Sequence, residues 1–224
     1  MPATVRVGRG SLATAARTGR LRTALGAAAF PLIVRPVDAH AGKGLARLDG
    51  TDAMAPYLRD NAGAMFYLSR FIDYRSGDGQ YRKYRIVLIA GLAYAVHMAI
   101  ADHCIVHYLN ADMNTDAAKR AEEERFMARF DAEFGQRHAA ALQAISQRFG
   151  LDYLVIDCAQ TPAGELLVFE VDTGAVVHAM DAAEVFPYKP AQMQRVFAAF
   201  REMLAVVARD VSGPDSGSDS NSAA

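Results

Sequence analysis

The sequence predicts an α+β fold made mainly of antiparallel sheet. Three observations lead there. Apolar runs come in close pairs joined by short turns that carry Gly or Pro, the pattern of hairpins. Helical runs fall between these pairs and do not alternate with single strands, which disfavours a β-α-β-α order. No GxGxxG turn links a strand to a helix, which argues against a doubly wound dinucleotide sheet.

Thr4 to Val7 reads as a short strand. Ser11 reads as the cap of a helix from Leu12 to Ala28, with Gly19 inside it. Six arginines and no acid lie between Met1 and Val37, a composition shared with organelle transit peptides. The strand and helix reading is preferred, with the arginines facing phosphates or solvent. Pro31 to Pro36 is the next strand, and the loop Val37 to Lys43 leads to a return strand, Gly44 to Leu48. Thr51 to Asn61 is a short helix and Met65 to Ile72 a further strand. After the polar loop Asp73 to Tyr81, a second hairpin runs from Arg82 to Ile100 and turns at Gly91. The Ala-, Glu- and Arg-rich run Ala117 to Phe134 is helical, and a second helix stops at Gly150, a residue suited to the left-handed conformation that ends helices. Two strands follow, Asp152 to Gln160 and Glu165 to Asp172, with Pro162 and Ala163 as the turn. A last helix, Ala191 to Arg209, carries Met193, Val196, Phe197, Phe200 and Leu204 at helical spacing. The Ser-, Gly- and Asp-rich tail from Val211 is expected to be disordered.

With 224 residues, 52% hydrophobic and 22% charged, the chain has the composition of a globular protein that needs no disulfide staples. A formal net charge of -1 excludes a nucleic-acid binder by electrostatics. No apolar run reaches the ~20 residues of a membrane span. Two distant cysteines, Cys104 and Cys158, make neither a disulfide framework nor a CxxC site, and point to a reducing cytoplasm.

The chemistry is concentrated in the hairpin that ends Phe169-Glu170-Val171-Asp172. With a turn at Pro162-Ala163, alternation places Asp157, Glu170 and Asp172 on one face, Asp157 and Glu170 being diagonal neighbours about 7–8 Å apart. Acids on a hairpin are often a solvated face. Here the strands are otherwise apolar, and embedded acids need a counter-charge or a metal. Carboxylates at that span suit Mg²⁺, which prefers a few carboxylate oxygens together with substrate phosphates. On the cationic side, Arg35 ends a strand, and the loop around His40, Gly42, Lys43 and Gly44 offers glycines and a point charge to phosphate oxygens. Arg82, Lys83 and Arg85 follow; Lys83 and Arg85 share one strand face and Arg82 the other. They read as an edge strand protected by charge, or as a clamp on a transferring phosphoryl group or a substrate carboxylate. His97, His103 and His107 lack an HExxH frame and read as ordinary polar positions near a pocket, not as a zinc site.

Taken together, these segments resemble the ATP-grasp superfamily, in its glutathione-synthetase-like and ribosomal-protein-glutamate-ligase-like branch, over about Val5 to Leu204. Pro31-Leu32-Ile33-Val34-Arg35-Pro36 is similar to the family strand whose basic residue holds the α- and β-phosphates, with Arg35 where Lys is usual. His40-Ala41-Gly42-Lys43-Gly44 is similar to the loop that closes over the phosphates. Phe66 to Asp73 is similar to the strand lining the adenine pocket, so the resemblance implies ATP contacts at Arg70, Phe71, Ile72 and Asp73; Arg70 stands where Glu is usual. Lys83-Tyr84-Arg85 is similar to the family's Asp-Ile-Arg. Asp157 with Glu170-Val171-Asp172 is similar to the Asp…Glu-x-Asn metal signature, Asp172 replacing Asn.

The resemblance implies an ATP-grasp fold of two α+β subdomains, 1–72 and 73–210, with a nucleotide cleft between them and a tail at 211–224. It implies ATP and Mg²⁺, with Mn²⁺ as a substitute. The reaction would join a small-molecule or peptide carboxylate to an amine or thiol acceptor through an acyl phosphate, with Arg85, Lys43 and Arg82 offsetting charge. Such ligases normally carry an N-terminal domain before this portion, so the resemblance implies a partner chain or a homodimer that supplies that surface, or else a reduced or degenerate enzyme. A non-catalytic nucleotide-binding or interaction module and a small-metabolite kinase are the competing readings.

Overall fold

The computed structural model describes residues 2–18, 30–40 and 42–212. The expected helix beyond Thr18 and the expected disordered tail beyond Ser212 lie outside the described residues. The chain is α+β, with two four-stranded sheets. It divides into two compact units: residues 1–82, 100–111 and 159–169 form the first, and residues 83–99, 112–158 and 170–224 the second.

In the first unit, β1 (Thr4–Gly8), β4 (Met65–Arg70), β2 (Leu32–Pro36) and β3 (Ala46–Leu48) lie side by side in that order, every pair antiparallel. Alternation along β2 and β4 sends Leu32, Val34, Phe66 and Leu68 inward, all fully buried. They pack against Leu12 of α1 (Arg9–Thr18) and against Met54, Tyr57 and Leu58 of α2 (Met54–Asp60). The expected cap at Ser11 is not the start of α1, which begins at Arg9. Arg9 itself is half-buried. Its guanidinium donates to the carbonyls of Leu58 (2.7 Å), Gly63 (3.0 Å) and Asn61. It thereby satisfies carbonyls that the end of α2 leaves open, at the terminus where a cation is electrostatically favoured.

The second sheet has the order β6-β5-β7-β8, from strands β5 (Tyr81–Ile89), β6 (Leu92–Ala101), β7 (Tyr153–Gln160) and β8 (Leu166–Asp172). Positive φ at Ala90 (48°) and Gly91 (79°) makes the two-residue β5–β6 turn. In the second unit, Val87, Ile89 and Val155 are buried under Met193, Val196 and Met203 of α5 (Lys189–Ser212). Asp116 caps α3 (Ala117–Ala128), accepting from the backbone N–H groups of Ala118 and Lys119. The expected continuous helix to Phe134 breaks instead into a π turn, Asp131–Gly135. The inserted turn accompanies an aromatic cluster: Tyr84 lies 4.9 Å from Phe126 and 4.8 Å from Phe134 between ring centres, and Phe130 stacks on Phe134. Gly150 closes α4 (Ala139–Phe149) in the left-handed conformation, as expected.

β6 is an edge strand, and its free backbone groups are covered by side chains from two helices. Fully buried Glu123 of α3 accepts from the Met98 N–H (3.0 Å), and Gln192 of α5 donates to the Ala95 carbonyl (2.7 Å). Glu123 also accepts from the Tyr188 hydroxyl (2.6 Å) and lies 3.6 Å from the ammonium of Lys189, which pairs with Asp181 at 2.8 Å. Desolvation, with the Glu123 bond second, drives the Tyr188 hydroxyl far above its ordinary range. Among the described residues, no helix is long and apolar enough to cross a membrane.

Candidate functional site

In the first unit, the residues expected to touch nucleotide phosphates lie on β2 and the loop after it. Arg35 pairs in register with Tyr67 and is exposed, its guanidinium 5.4 Å from the centre of that ring. His40 and Lys43 are exposed. The loop makes two successive tight turns, Lys43 N–H to the His40 carbonyl and Leu45 N–H to the Gly42 carbonyl, each 3.0 Å. Gly42 and Gly44 both need positive φ, 71° and 70°. A side chain at either would also collide with the protein. A Cβ at Gly42 would fall 2.3 Å from His107 Nε2, and one at Gly44 would fall 2.5 Å from Asn61 Oδ1. The Tyr57 hydroxyl donates to the Gly44 carbonyl at 2.8 Å, and burial pushes that hydroxyl up to about 12. The glycines thus let this loop pack on its own unit, a role that the sequence reading had not given them.

A prediction follows for Gly42→Ala. Left-handed strain costs about 1–2 kcal/mol for a non-glycine residue, and the collision with His107 adds overpacking of similar size. Urea unfolding should show a loss of at least about 2 kcal/mol. The double variant Gly42→Ala/His107→Ala should recover the steric part.

The segment expected to line an adenine pocket is mostly exposed. Arg70 and Ile72 face out, and Phe71 lies half-buried with the Arg47 guanidinium 4.3 Å from its ring centre. Asp73 is gripped by the Arg75 fork at 2.5–3.1 Å and accepts from the Arg75 backbone N–H as well. The Arg75 hydrogen bond is the main reason its carboxyl sits below the usual range. Arg82 pairs with Asp78 at 2.7 Å across the polar loop. His103 is exposed.

The second unit holds a tight ionic cluster. β5 and β7 pair antiparallel with Arg85 directly opposite Asp157. Arg85 donates through Nε to Asp157 Oδ1 (2.7 Å) and through Nη2 to Oδ2 (2.9 Å), and Lys83 Nζ lies 2.8 Å from Oδ2. Odd-numbered residues of β5 share one face, so Lys83 and Arg85 follow Val87 and Ile89, whose portion of that face α5 covers. Asp157 is 5% exposed. Desolvation, and after it the charge of Arg85, pushes the His97 imidazole on β6 well below its ordinary range. Sequence reasoning ranked Arg82 above Lys83. Alternation already marked Lys83 as sharing Arg85's face, but only the β5–β7 register shows what the pair meets.

Glu170 and Asp172 stand exposed on the edge strand β8, two residues apart and so on one face about 7 Å apart along the strand. Asp172 accepts from the Gly174 N–H (2.7 Å). The charges of both acids reach Arg85, after that of Asp157. The turn before β8 is not the expected two-residue one. Gly164, at φ 81°, donates to the Thr161 carbonyl, and Thr161 N–H donates to the Glu165 carbonyl at 2.9 Å, which makes a three-residue loop. Among the described residues, no three His, Cys, Asp or Glu side chains gather closely enough to hold a metal ion.

Asp157 also gives a pH prediction. Burial raises its carboxyl, but Arg85 and Lys83 overcome this and hold it at about 2, against an ordinary 3.8. A depressed folded-state value contributes stability above the ordinary value, and that contribution fades as pH falls through about 2. The shift corresponds to about 2 kcal/mol. Urea midpoints of the wild type should fall more steeply between pH 5 and 2 than those of Asp157→Asn, which has no group to titrate there.

No family model and no curated protein sequence matches the chain. Solved structures similar to it include the VanG D-Ala:D-Ser ligase of Enterococcus faecalis (18% identity, TM-score 0.48, covering 92% of this chain and 55% of that one). An L-amino acid ligase of Bacillus licheniformis is also similar (14%, TM-score 0.41, 77% and 36%). A third is the carboxyaminoimidazole ribonucleotide synthase of Aspergillus clavatus in complex with ATP (13%, TM-score 0.45, 79% and 41%). The chain thus spans between about a third and just over half the length of these structures.

Proposed function

We propose that this chain is the nucleotide-binding part of an ATP-grasp ligase that joins a carboxylate to an amine or thiol through an acyl phosphate. The observation that carries the reading is the Lys83–Arg85–Asp157 cluster. It sits where the order of motifs calls for an anion clamp, on the strand paired with the one that leads into Glu170-Val171-Asp172. A guanidinium and an ammonium fixed side by side suit a transferring phosphoryl group, because that chemistry needs positioning and charge stabilisation more than covalent help. Arg35 and Lys43, both exposed, are assigned to the nucleotide phosphates, and residues 70–73 to the base and ribose.

Magnesium would serve this reading by offsetting the negative charge of the nucleotide phosphates. Its preference for one or two carboxylates plus phosphate oxygens fits Glu170 and Asp172, which are exposed and share a face. Asp157 does not fit as a third ligand, because both its oxygens are already bonded to cations.

Isothermal titration should show binding of a non-hydrolysable ATP analogue in the presence of Mg²⁺, and steady-state assays with candidate acids and amines should release ADP. A protein that binds no nucleotide at millimolar concentration is not such a ligase. Binding without turnover for any acceptor would leave the nucleotide-binding module.

A further inference from the structure

We propose that Asp157 is a positioning residue whose buried carboxylate fixes Lys83 and Arg85 as one rigid pair of cations, and that it does not ligate the metal. The part concerning the metal rests on the proposed function; the part concerning the cations does not. The ladder itself builds the arrangement. Arg85 stands opposite Asp157 across β5 and β7, and Lys83, two residues along the same strand, projects to the same face. A carboxylate offers about four lone-pair directions. Arg85 takes two of them as a bidentate fork at 2.7 and 2.9 Å, and Lys83 takes a third at 2.8 Å. The residue is 5% exposed, so little solvent access remains for the water shell that Mg²⁺ gives up reluctantly.

Electrostatics points the same way. A divalent cation on this carboxylate would lie beside two other positive groups, and displacing either would leave a poorly solvated cation without its counter-ion. Glu170 and Asp172 face the opposite situation, being exposed on an edge strand. Their charges act on Arg85 only after that of Asp157. On the ligase reading the acids of this hairpin would divide their work: the buried one aligns cations for the transferring group, and the two exposed ones would hold the metal.

Two measurements test this. The first needs no ligand. In ¹⁵N-edited spectra, the Arg85 Nε–H, assigned by its absence in Arg85→Lys, should be a resolved, slowly exchanging signal in the wild type. In Asp157→Asn it should exchange at least tenfold faster while the backbone spectrum stays folded. A wild-type signal that already exchanges at the rate of free arginine overturns the proposal. The second is Mn²⁺ binding followed by electron paramagnetic resonance in the presence of a non-hydrolysable ATP analogue. Asp157→Asn should bind Mn²⁺ within about threefold of the wild type, and Glu170→Gln at least tenfold more weakly. Equal losses in the two variants would make Asp157 a ligand and overturn the proposal, leaving the ligase reading intact. A wild type that binds no nucleotide ends the ligase reading, and the Arg85 signal alone then decides whether Asp157 positions the cations.

Discussion

Arg85→Met is expected to lower acyl-phosphate-dependent ADP release by about 10²–10³-fold, the range seen when one preorganised donor to a developing anion is removed. The guanidinium is held from behind by Asp157, a bidentate contact at 2.7 and 2.9 Å. Its remaining nitrogen is aimed without the entropy that a free side chain would lose on binding. Arg85→Lys should recover only a small part of the loss, because an ammonium keeps the charge and lacks the fork. Affinity for the ATP analogue should change by only a few-fold, so the effect should appear in kcat. Turnover within threefold of the wild type, once an acceptor pair is known, would remove Arg85 from the chemistry.

Glu123→Leu is expected to destabilise the protein by about 3–5 kcal/mol, the cost of breaking a buried charged pair from one side. Glu123 is fully buried and answers three groups at once: the Met98 N–H, the Tyr188 hydroxyl and the Lys189 ammonium. Removing it leaves a buried edge-strand N–H and the Tyr188 hydroxyl without this acceptor. Glu123→Gln keeps an acceptor and should cost clearly less. Urea midpoints at unchanged m-value would measure both. A loss below about 1 kcal/mol for the leucine variant would show that the cluster relaxes freely. A wild-type-like nucleotide affinity in the folded Gln variant would separate its structural role from the proposed chemistry.

Much of the fold was legible in the chain because its signals are local. The apolar runs of Leu32 to Val34 and Phe66 to Leu68, Gly91 at a tight turn and Gly150 as a stop each act over a few residues, and each stands where its chemistry suggested. The π turn at Asp131–Gly135 was not legible, because a helical period with one residue inserted looks regular until the rings of Phe126, Phe130 and Phe134 must meet Tyr84. The three-residue loop before β8 was missed for a related reason. Gly164 takes positive φ, and a two-residue turn at Pro162-Ala163 uses the same letters.

The candidate site shows the same division. By itself the sequence determined which residue types were on hand: basic residues at 82, 83 and 85, acids at 157, 170 and 172, and glycines at 42 and 44. Tertiary structure alone decided their partners. Arg85 and Asp157 are 72 residues apart, and only the register of β5 against β7 makes them neighbours. His107 is likewise far in sequence from Gly42, yet it occupies the space that a side chain there would need. Periodicity encodes which way a side chain points, but contacts between distant segments depend on which strands pair, and that is set by the packing of the whole sheet.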